Sequence, residues 1–332
     1  MSDAQVRGYA SQHRKKSLGK RIAIIVGVVV LALALAVGGF YLWFTLSLNN
    51  SLSKNSNDEA QQALQSVPID KPFYTLVLAS DERRDEHNPN AGMQTDVMML
   101  MRVDLQNDQV TMLSIPRDTR YVLDDGTVVK INALYNIGGV KKVIEGVSEL
   151  TNLPISHYAM VYMSDLKKVV DELGGVEVDV PIEINNDDPE TEENVNVQPG
   201  VQVLDGQHAQ AFAISRHEAD TNEDAYRQGK IRQLLGAIIK KAVDRPPLDI
   251  PGTVINLAQY VETDFRANDL ISLAVGFANS PDGITIYEAS GPSDGGIDES
   301  ADGQWLCYEN PEGWAKVVSV MDSGGDPSTV TY

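Results

Sequence analysis

Hydrophobic positions fall along this chain in distinct rhythms. The first is an unbroken apolar run, IAIIVGVVVLALALAVGGFYLWFTLSL (22–48), without a single charge. About 20 helical residues span a bilayer core, and Phe40, Tyr41, Trp43 and Phe44 gather at its far end as interfacial aromatics do. The run predicts an N-terminal transmembrane helix. A cleaved signal peptide would have a shorter apolar region, roughly 7–15 residues, ending in a small-residue cleavage site. The second rhythm is short apolar or alternating runs: FYTLVLAS (73–80), VMMLMRVD (97–104), QVTMLSIP (109–116), HYAMVYM (157–163), VEVDVPI (176–182) and ITIYEAS (284–290). These read as strands, the second and third joined through the hairpin-length turn LQND. The third rhythm has helical spacing: KKVIEGVSEL (141–150), DLKKVVDELGG (165–175) with its glycine stop, LDGQHAQAFAIS (204–215), YRQGKIRQLLGAIIKKAVD (226–244), TVINLAQYVETD (253–264) and NDLISLAVGFAN (268–279).

Strands alternating with helices, some of the strands adjacent, predict an α/β fold with a central mixed β-sheet sandwiched by helices. The boundaries follow: 1–21 a basic tail, 22–48 the transmembrane helix, 49–71 a polar stalk, 72–245 the main domain, and 246–332 a helical and strand part completing it. NNDDPETEEN (185–194) reads as a solvated, mobile acidic loop. There are no internal repeats.

Charge sets the orientation. The 332 residues carry a net −20, yet residues 1–21 hold Arg7, Arg14, Lys15, Lys16, Lys20 and Arg21 against Asp3 alone. Basic residues before the span and acid after it place the N-terminus in the cytoplasm and residues 49–332 outside. So acidic a domain lacks the basic face that general nucleic-acid binding requires. Cys307 is the only cysteine, so no internal disulfide forms. An exported domain held by core packing alone fits a bacterium of Gram-positive type.

The chain has no Gly-rich P-loop, no G-x-S-x-G elbow and no zinc spacing of Cys and His. What it has is charge at strand ends: Asp81 and Arg83 after the first strand, Asp96 immediately before the second, and Arg117 of SIPRDTR at the end of the third. Strand ends along one sheet edge are where α/β folds build sites. Two carboxylates there suit Mg²⁺, whose remaining positions go to water and phosphate oxygens, and arginine suits bidentate phosphate contact. The set describes a pyrophosphate site better than a protease or glycosidase site. The plainer alternatives are a turn or cap role for each Asp and a surface Arg117–Asp118 ion pair worth little.

LVLASDERR, TDVMMLMRVDLQNDQVTMLSIPRDT, KINALYNIGG, HYAMVYMSDLKKVVDELGGVEVDVP, PGVQVLDGQHAQAFAISRH and EDAYRQGKIRQ occur in the order seen in the LytR-CpsA-Psr family. The resemblance covers residues 73–245. It implies a mixed sheet between helices with an apolar groove for a polyprenyl tail. It also implies a Mg²⁺-dependent (or Mn²⁺-dependent) phosphotransferase that moves a teichoic acid, capsule or other wall polysaccharide from an undecaprenyl-pyrophosphate carrier to peptidoglycan, at the C6 hydroxyl of N-acetylmuramic acid. By position it implies Asp81 and Asp96 as metal ligands. Arg83, Arg117, Arg216 and Arg227 would bind pyrophosphate, Lys130 of KIN would face the same site, and Asp224 would be a further polar residue of it. The general base stays open among Asp81, Asp96 and Asp224.

This chain departs from the family pattern in places. Ile214 stands where the first arginine of R-x-R belongs, and Gln94 where an arginine precedes the T-D pair. Lys230 or Arg232 replaces the second basic residue after Arg227. Rival functions are a non-catalytic binder of lipid pyrophosphate, an envelope regulator of the transcriptional-attenuator kind, and a pyrophosphatase using water as acceptor. The short cytoplasmic tail speaks against direct DNA binding. The apolar face of LLGAII (234–239), with Trp305 and Trp314, reads as core or edge packing before it reads as lipid groove or sugar platform.

Overall fold

The structure is a computed structural model, and it describes residues 16–53, 57–80, 95–188, 191, 193–215, 223–246, 249–280 and 282–332. Side chains of residues 16–30, 33, 37, 53, 223–225 and 250 lie outside that description. The chain divides into two units, Met1–Ser47 and Leu48–Tyr332. In chain order the elements begin with α1 (Lys16–Ser53), α2 (Asp58–Gln61), β1 (Phe73–Ser80), β2 (Thr95–Asp104), β3 (Gln109–Ser114), β4 (Arg120–Val122), β5 (Val128–Lys130), α3 (Leu134–Thr151), β6 (Ile155–Tyr162) and α4 (Met163–Glu172). There follow β7 (Val176–Val180), β8 (Ile184–Asp187), β9 (Asn194–Val197), β10 (Gly200–Leu204), α5 (Gly206–Ile214), α6 (Glu223–Val243), α7 (Ile250–Ala258) and β11 (Val261–Thr263). Then come α8 (Ala267–Ala278), β12 (Thr285–Ser290), β13 (Gly295–Asp298), β14 (Gln304–Cys307) and α9 (Pro311–Asp322). Among the described residues no helix is long and apolar enough to cross a membrane; part of the apolar run 22–48 falls outside the described side chains.

Six strands form a mixed sheet in the order β11-β6-β1-β2-β3-β12. β1 pairs antiparallel with β2 and parallel with β6, while β12 runs parallel to β3. The continuous apolar runs are explained by burial on both faces. On β2, Val97, Met99, Met101 and Val103 point into a core shared with α4, α5, α6 and α8. Met98 and Leu100 point the other way, into a core with α3, α9 and α2. This is the helix-covered mixed sheet expected from the sequence.

Several local readings differ. YVETD is not helical; Val261–Thr263 forms edge strand β11, paired with β6 at Val261↔Val161. The acidic segment is flanked by a hairpin, β8 on β9, closed by the Asp188 N–H donating to the Glu193 carbonyl at 2.8 Å. Helix α3 starts earlier than its spacing suggested and is interrupted at Gly138–Gly139, the latter at φ 61, a conformation glycine adopts freely. Residues 57–71, read as a stalk, lie on the domain: Ala60 is fully buried, the Gln65 N–H donates to the Ile155 carbonyl at 2.8 Å, and Val67 and Ile69 pack on the core.

Helices α4 and α5 meet at a glycine. Gly206 N–H donates to Asp171 Oδ1 at 2.8 Å, and a Cβ at Gly206 would fall 2.2 Å from the Lys167 carbonyl oxygen. Backbone cannot retreat as a flexible side chain can. Gly206→Ala should therefore cost about 1–3 kcal/mol through overpacking, seen as a lower urea midpoint with unchanged slope.

Candidate active site

The parallel arrangement of β1, β6, β3 and β12 brings their C-terminal ends to one sheet edge, together with the start of antiparallel β2. Asp96 is the second residue of β2. Beyond β3 the Ile115 N–H donates to the Met98 carbonyl at 2.9 Å, and the chain then turns: Thr119 N–H and Oγ1 both donate to the Pro116 carbonyl, at 3.0 and 2.7 Å. Arg117 and Asp118 occupy the middle of this turn. The KIN segment closes on it, Ile131 N–H donating to the Thr119 carbonyl and Asn132 N–H to that of Arg117. SIPRDT and KIN, separate in sequence, are thus one hydrogen-bonded unit.

Two arginines converge on Asp96. Arg117 Nη1 lies 3.0 Å and Arg227 Nη1 3.4 Å from Asp96 Oδ1, and Arg227 Nη2 also donates to the Asp96 carbonyl at 3.4 Å. Arg227, on α6, is nearly buried at 7% side-chain exposure, while Arg117 keeps 28%. Asp118 joins the second pair of cations: its Oδ1 lies 2.6 Å from Lys130 Nζ and its Oδ2 3.7 Å from Arg117 Nε. The structure therefore gathers Asp96, Arg117, Lys130 and Arg227 of the residues expected from sequence. Asp81, Arg83, Gln94, Arg216 and His217 lie outside the described residues, and Asp224 is placed only by its backbone in the first turn of α6. Asp118, dismissed above as half of a weak surface pair, is 9% exposed and belongs to the cluster.

The two candidates for the second basic position part company. Lys230 is buried and donates from Nζ to the Ser215 carbonyl at 2.9 Å and to Ser215 Oγ, beside Ile214 and 4.9 Å from the Tyr226 ring centroid. Arg232 faces the other way, donating to Ser114 Oγ at 2.9 Å with Glu288 Oε2 at 4.0 Å. Burial pulls the Arg232 guanidinium below its ordinary pKa against the opposing pull of Glu288, and burial raises Glu288. Leu234 is buried, with Leu235, Ala237, Ile238 and Ile239 packed against the same core. Trp314 is core, and Trp305 remains 40% exposed on β14.

The fit to a divalent cation can be tested on Asp96. Its Oδ1 is shared by two guanidiniums, whereas its Oδ2 makes no hydrogen bond among the described residues. A free, hard carboxylate oxygen beside phosphate-binding cations is what Mg²⁺ uses when water and phosphate complete its shell. Among the described residues no group of three or more His, Cys, Asp or Glu side chains comes together. Any such ion would thus rest on Asp96, with Asp81 as the second candidate.

The family model described as the LytR_cpsA_psr family matches residues 40–312. The chain belongs to the LytR-CpsA-Psr family. The match runs past residue 245 and takes in the C-terminal part as far as residue 312. A similar protein of Bacillus cereus, named polyisoprenyl-teichoic acid–peptidoglycan teichoic acid transferase TagU, is 29% identical over 306 residues, covering 89% of this chain and 93% of its own length. The TagU of Halalkalibacterium halodurans is 26% identical over 281 residues, covering 82% and 89%. The crystal structure of B. subtilis TagV shares the LytR-CpsA-Psr fold with this chain at a TM-score of 0.66 and 24% identity, covering 79% of this chain and 99% of its own. A structure described as TagT bound to LIIa-WTA gives 0.60 at 22%, covering 78% and 92%.

Proposed function

We propose that this family member is a phosphotransferase moving a cell-wall glycopolymer from an undecaprenyl-pyrophosphate carrier to peptidoglycan, with Mg²⁺ or Mn²⁺ as cofactor. The observation that carries this is the convergence of Arg117 and Arg227 on Asp96, with Lys130 beside them, at the edge where the strands end. The names of the TagU relatives support teichoic acid as the first polymer to test, and the N-acetylmuramic acid C6 hydroxyl as acceptor completes the proposal. Residues 22–48 are the anchor in this reading, with residues 1–21 cytoplasmic and residues 49–332 on the outer side of a single-pass membrane protein.

Phosphoryl transfer needs positioning and charge neutralisation more than a covalent catalyst. Arg117, partly open, meets the pyrophosphate oxygens through guanidinium edges already oriented by Asp96 and Asp118. Arg227, clamped to the side chain and carbonyl of Asp96, fixes that carboxylate. Lys130 adds a point charge from the opposite side of the turn. Among the described residues, Arg117, Arg227 and Lys130 against Asp96 and Asp118 leave a single net positive charge, less than the charge a pyrophosphate diester carries. A divalent ion on Asp96 would add positive charge and polarise phosphorus. The leaving group is a polyprenyl phosphate, stable once its charge is met. With water in place of the sugar hydroxyl, the same groups would give pyrophosphatase side activity.

The full chain in detergent, given geranylgeranyl pyrophosphate and Mg²⁺, should release phosphate, and excess chelator should lower the rate by at least about 100-fold. Restoration by Mg²⁺ or Mn²⁺ completes the expected result. Tight, metal-indifferent binding without cleavage would instead make the protein a carrier-binding module, with Ile214→Arg the first reversion to make.

A further inference from the structure

We infer that Asp118 is a positioning residue for the transfer reaction, holding Arg117 and Lys130 at the spacing a pyrophosphate needs, and that the C-terminal ribbon β13–β14 braces it. The inference rests on the phosphotransfer reading of this site. One carboxylate serves two cations, an oxygen to each: Lys130 Nζ at 2.6 Å and Arg117 Nε at 3.7 Å. Two positive side chains gathered on one carboxylate repel each other, and their separation is stable only while that charge sits between them. Arg117 is in addition held at Nη1 by Asp96. Its guanidinium is thus hydrogen-bonded to Asp96 at Nη1 and faces the Asp118 charge at Nε, which together restrict the plane in which it meets an oxygen. Lys130 keeps 28% exposure, enough to be reached by a ligand without leaving Asp118.

The brace comes from the part of the chain to which sequence reading assigned no role. The Cys307 N–H donates to the Asp118 carbonyl at 2.8 Å, and Thr119 forms an isolated bridge with Cys307. One residue on, Arg120 Nε lies 3.0 Å from Asp298 Oδ2 on β13, and its Nη1 contacts Glu309. Arg120 also pairs with Lys130 across β4–β5, so the ribbon, the turn and the Lys130 strand are tied together. A purely stabilising ion pair would be an odd choice here. An acid in the cation cluster lowers its charge and weakens its pull on phosphate, so it is favoured only if alignment returns more than attraction loses.

That opposition gives the test. With full chain in detergent, geranylgeranyl pyrophosphate and Mg²⁺, Asp118→Asn should lower kcat about 10- to 100-fold. KM should stay within about twofold, because the lost alignment is accompanied by one more net positive charge. Asp118→Glu, which keeps the carboxylate, should recover most of the rate. In a Lys130→Met background Asp118→Asn should lose much of its effect, since the two act as a unit. Arg120→Gln loosens the brace without touching either cation and should lower kcat in the same direction, a second readout should Asp118→Asn fail to fold. Wild-type kcat in both Asp118→Asn and Arg120→Gln, or equal losses in both Lys130 backgrounds, overturns the inference and leaves the transfer reading standing. A wild-type chain that neither binds nor cleaves the probe overturns both.

Discussion

Arg117→Ala should lower kcat/KM for polyprenyl pyrophosphate cleavage by about 10³-fold, the scale seen when a preorganised donor or an arginine finger is removed from a phosphoryl-transfer site. Arg117 is singled out over Arg227 by its surroundings. Arg227 is 7% exposed and donates to the Asp96 side chain and carbonyl, whereas Arg117 is 28% exposed and within reach of a ligand. Its removal also leaves Asp96 Oδ1 with a single, longer partner and Asp118 with Lys130 alone. Arg117→Lys keeps the charge but cannot reach Asp96 and Asp118 at once, so it should restore only part of the loss. The measurement is steady-state phosphate release by the full chain, with a thermal melt confirming that each variant is folded. Activity within about tenfold of wild type in folded Arg117→Ala would remove the arginine from the chemistry.

The legibility of this site in the sequence had limits that residues make plain. β1, β2 and β3 were readable because strands buried on both faces need apolar residues at every position, and the site residues Asp96 and Arg117 could be placed because they sit at the ends of those strands. Short edge elements were not readable. Val261–Thr263 is three residues long, too short for a period, and is a strand only because β6 offers it hydrogen bonds. The β8–β9 hairpin hides Ile184, Val195 and Val197 among acids and amides, with burial the only sign that their alternation counts. Residues 57–71 dock through a few scattered apolar side chains that composition alone reads as linker. Asp118 was misjudged for the same reason: its partner Lys130 and its brace Cys307 are brought to it by the fold.

Arg102→Met should destabilise the domain by about 3 kcal/mol, the lower end of the cost of breaking one side of a buried ion pair. Arg102 is 6% exposed on β2 and Asp104 fully buried, with Nη1 and Oδ2 3.0 Å apart at the sheet end opposite the site. Methionine fills similar volume, so packing loss is small and the charge left behind dominates. That charge is not abandoned: Gln106 and Asn107 N–H groups donate to Asp104 Oδ1 at 3.1 and 3.2 Å, and Asn107 Nδ2 to Oδ2 at 2.9 Å, which is why the lower end is expected. The sign of the pH dependence separates this account from simple packing. Burial pushes the Asp104 carboxyl up, but the Asn107 bonds and Arg102 outweigh it and hold the pKa below the ordinary value. In the wild type this contribution is present above the unfolded carboxylate pKa of about 3.9 and is lost as pH falls through the lower folded value. Without Arg102 burial meets less opposition, the folded pKa rises, and protonation relieves the buried charge. The stability gap between wild type and variant, from urea unfolding, should therefore narrow as pH falls below about 4. A gap that stays constant from neutral to acid pH would assign the loss to packing and not to the orphaned carboxylate.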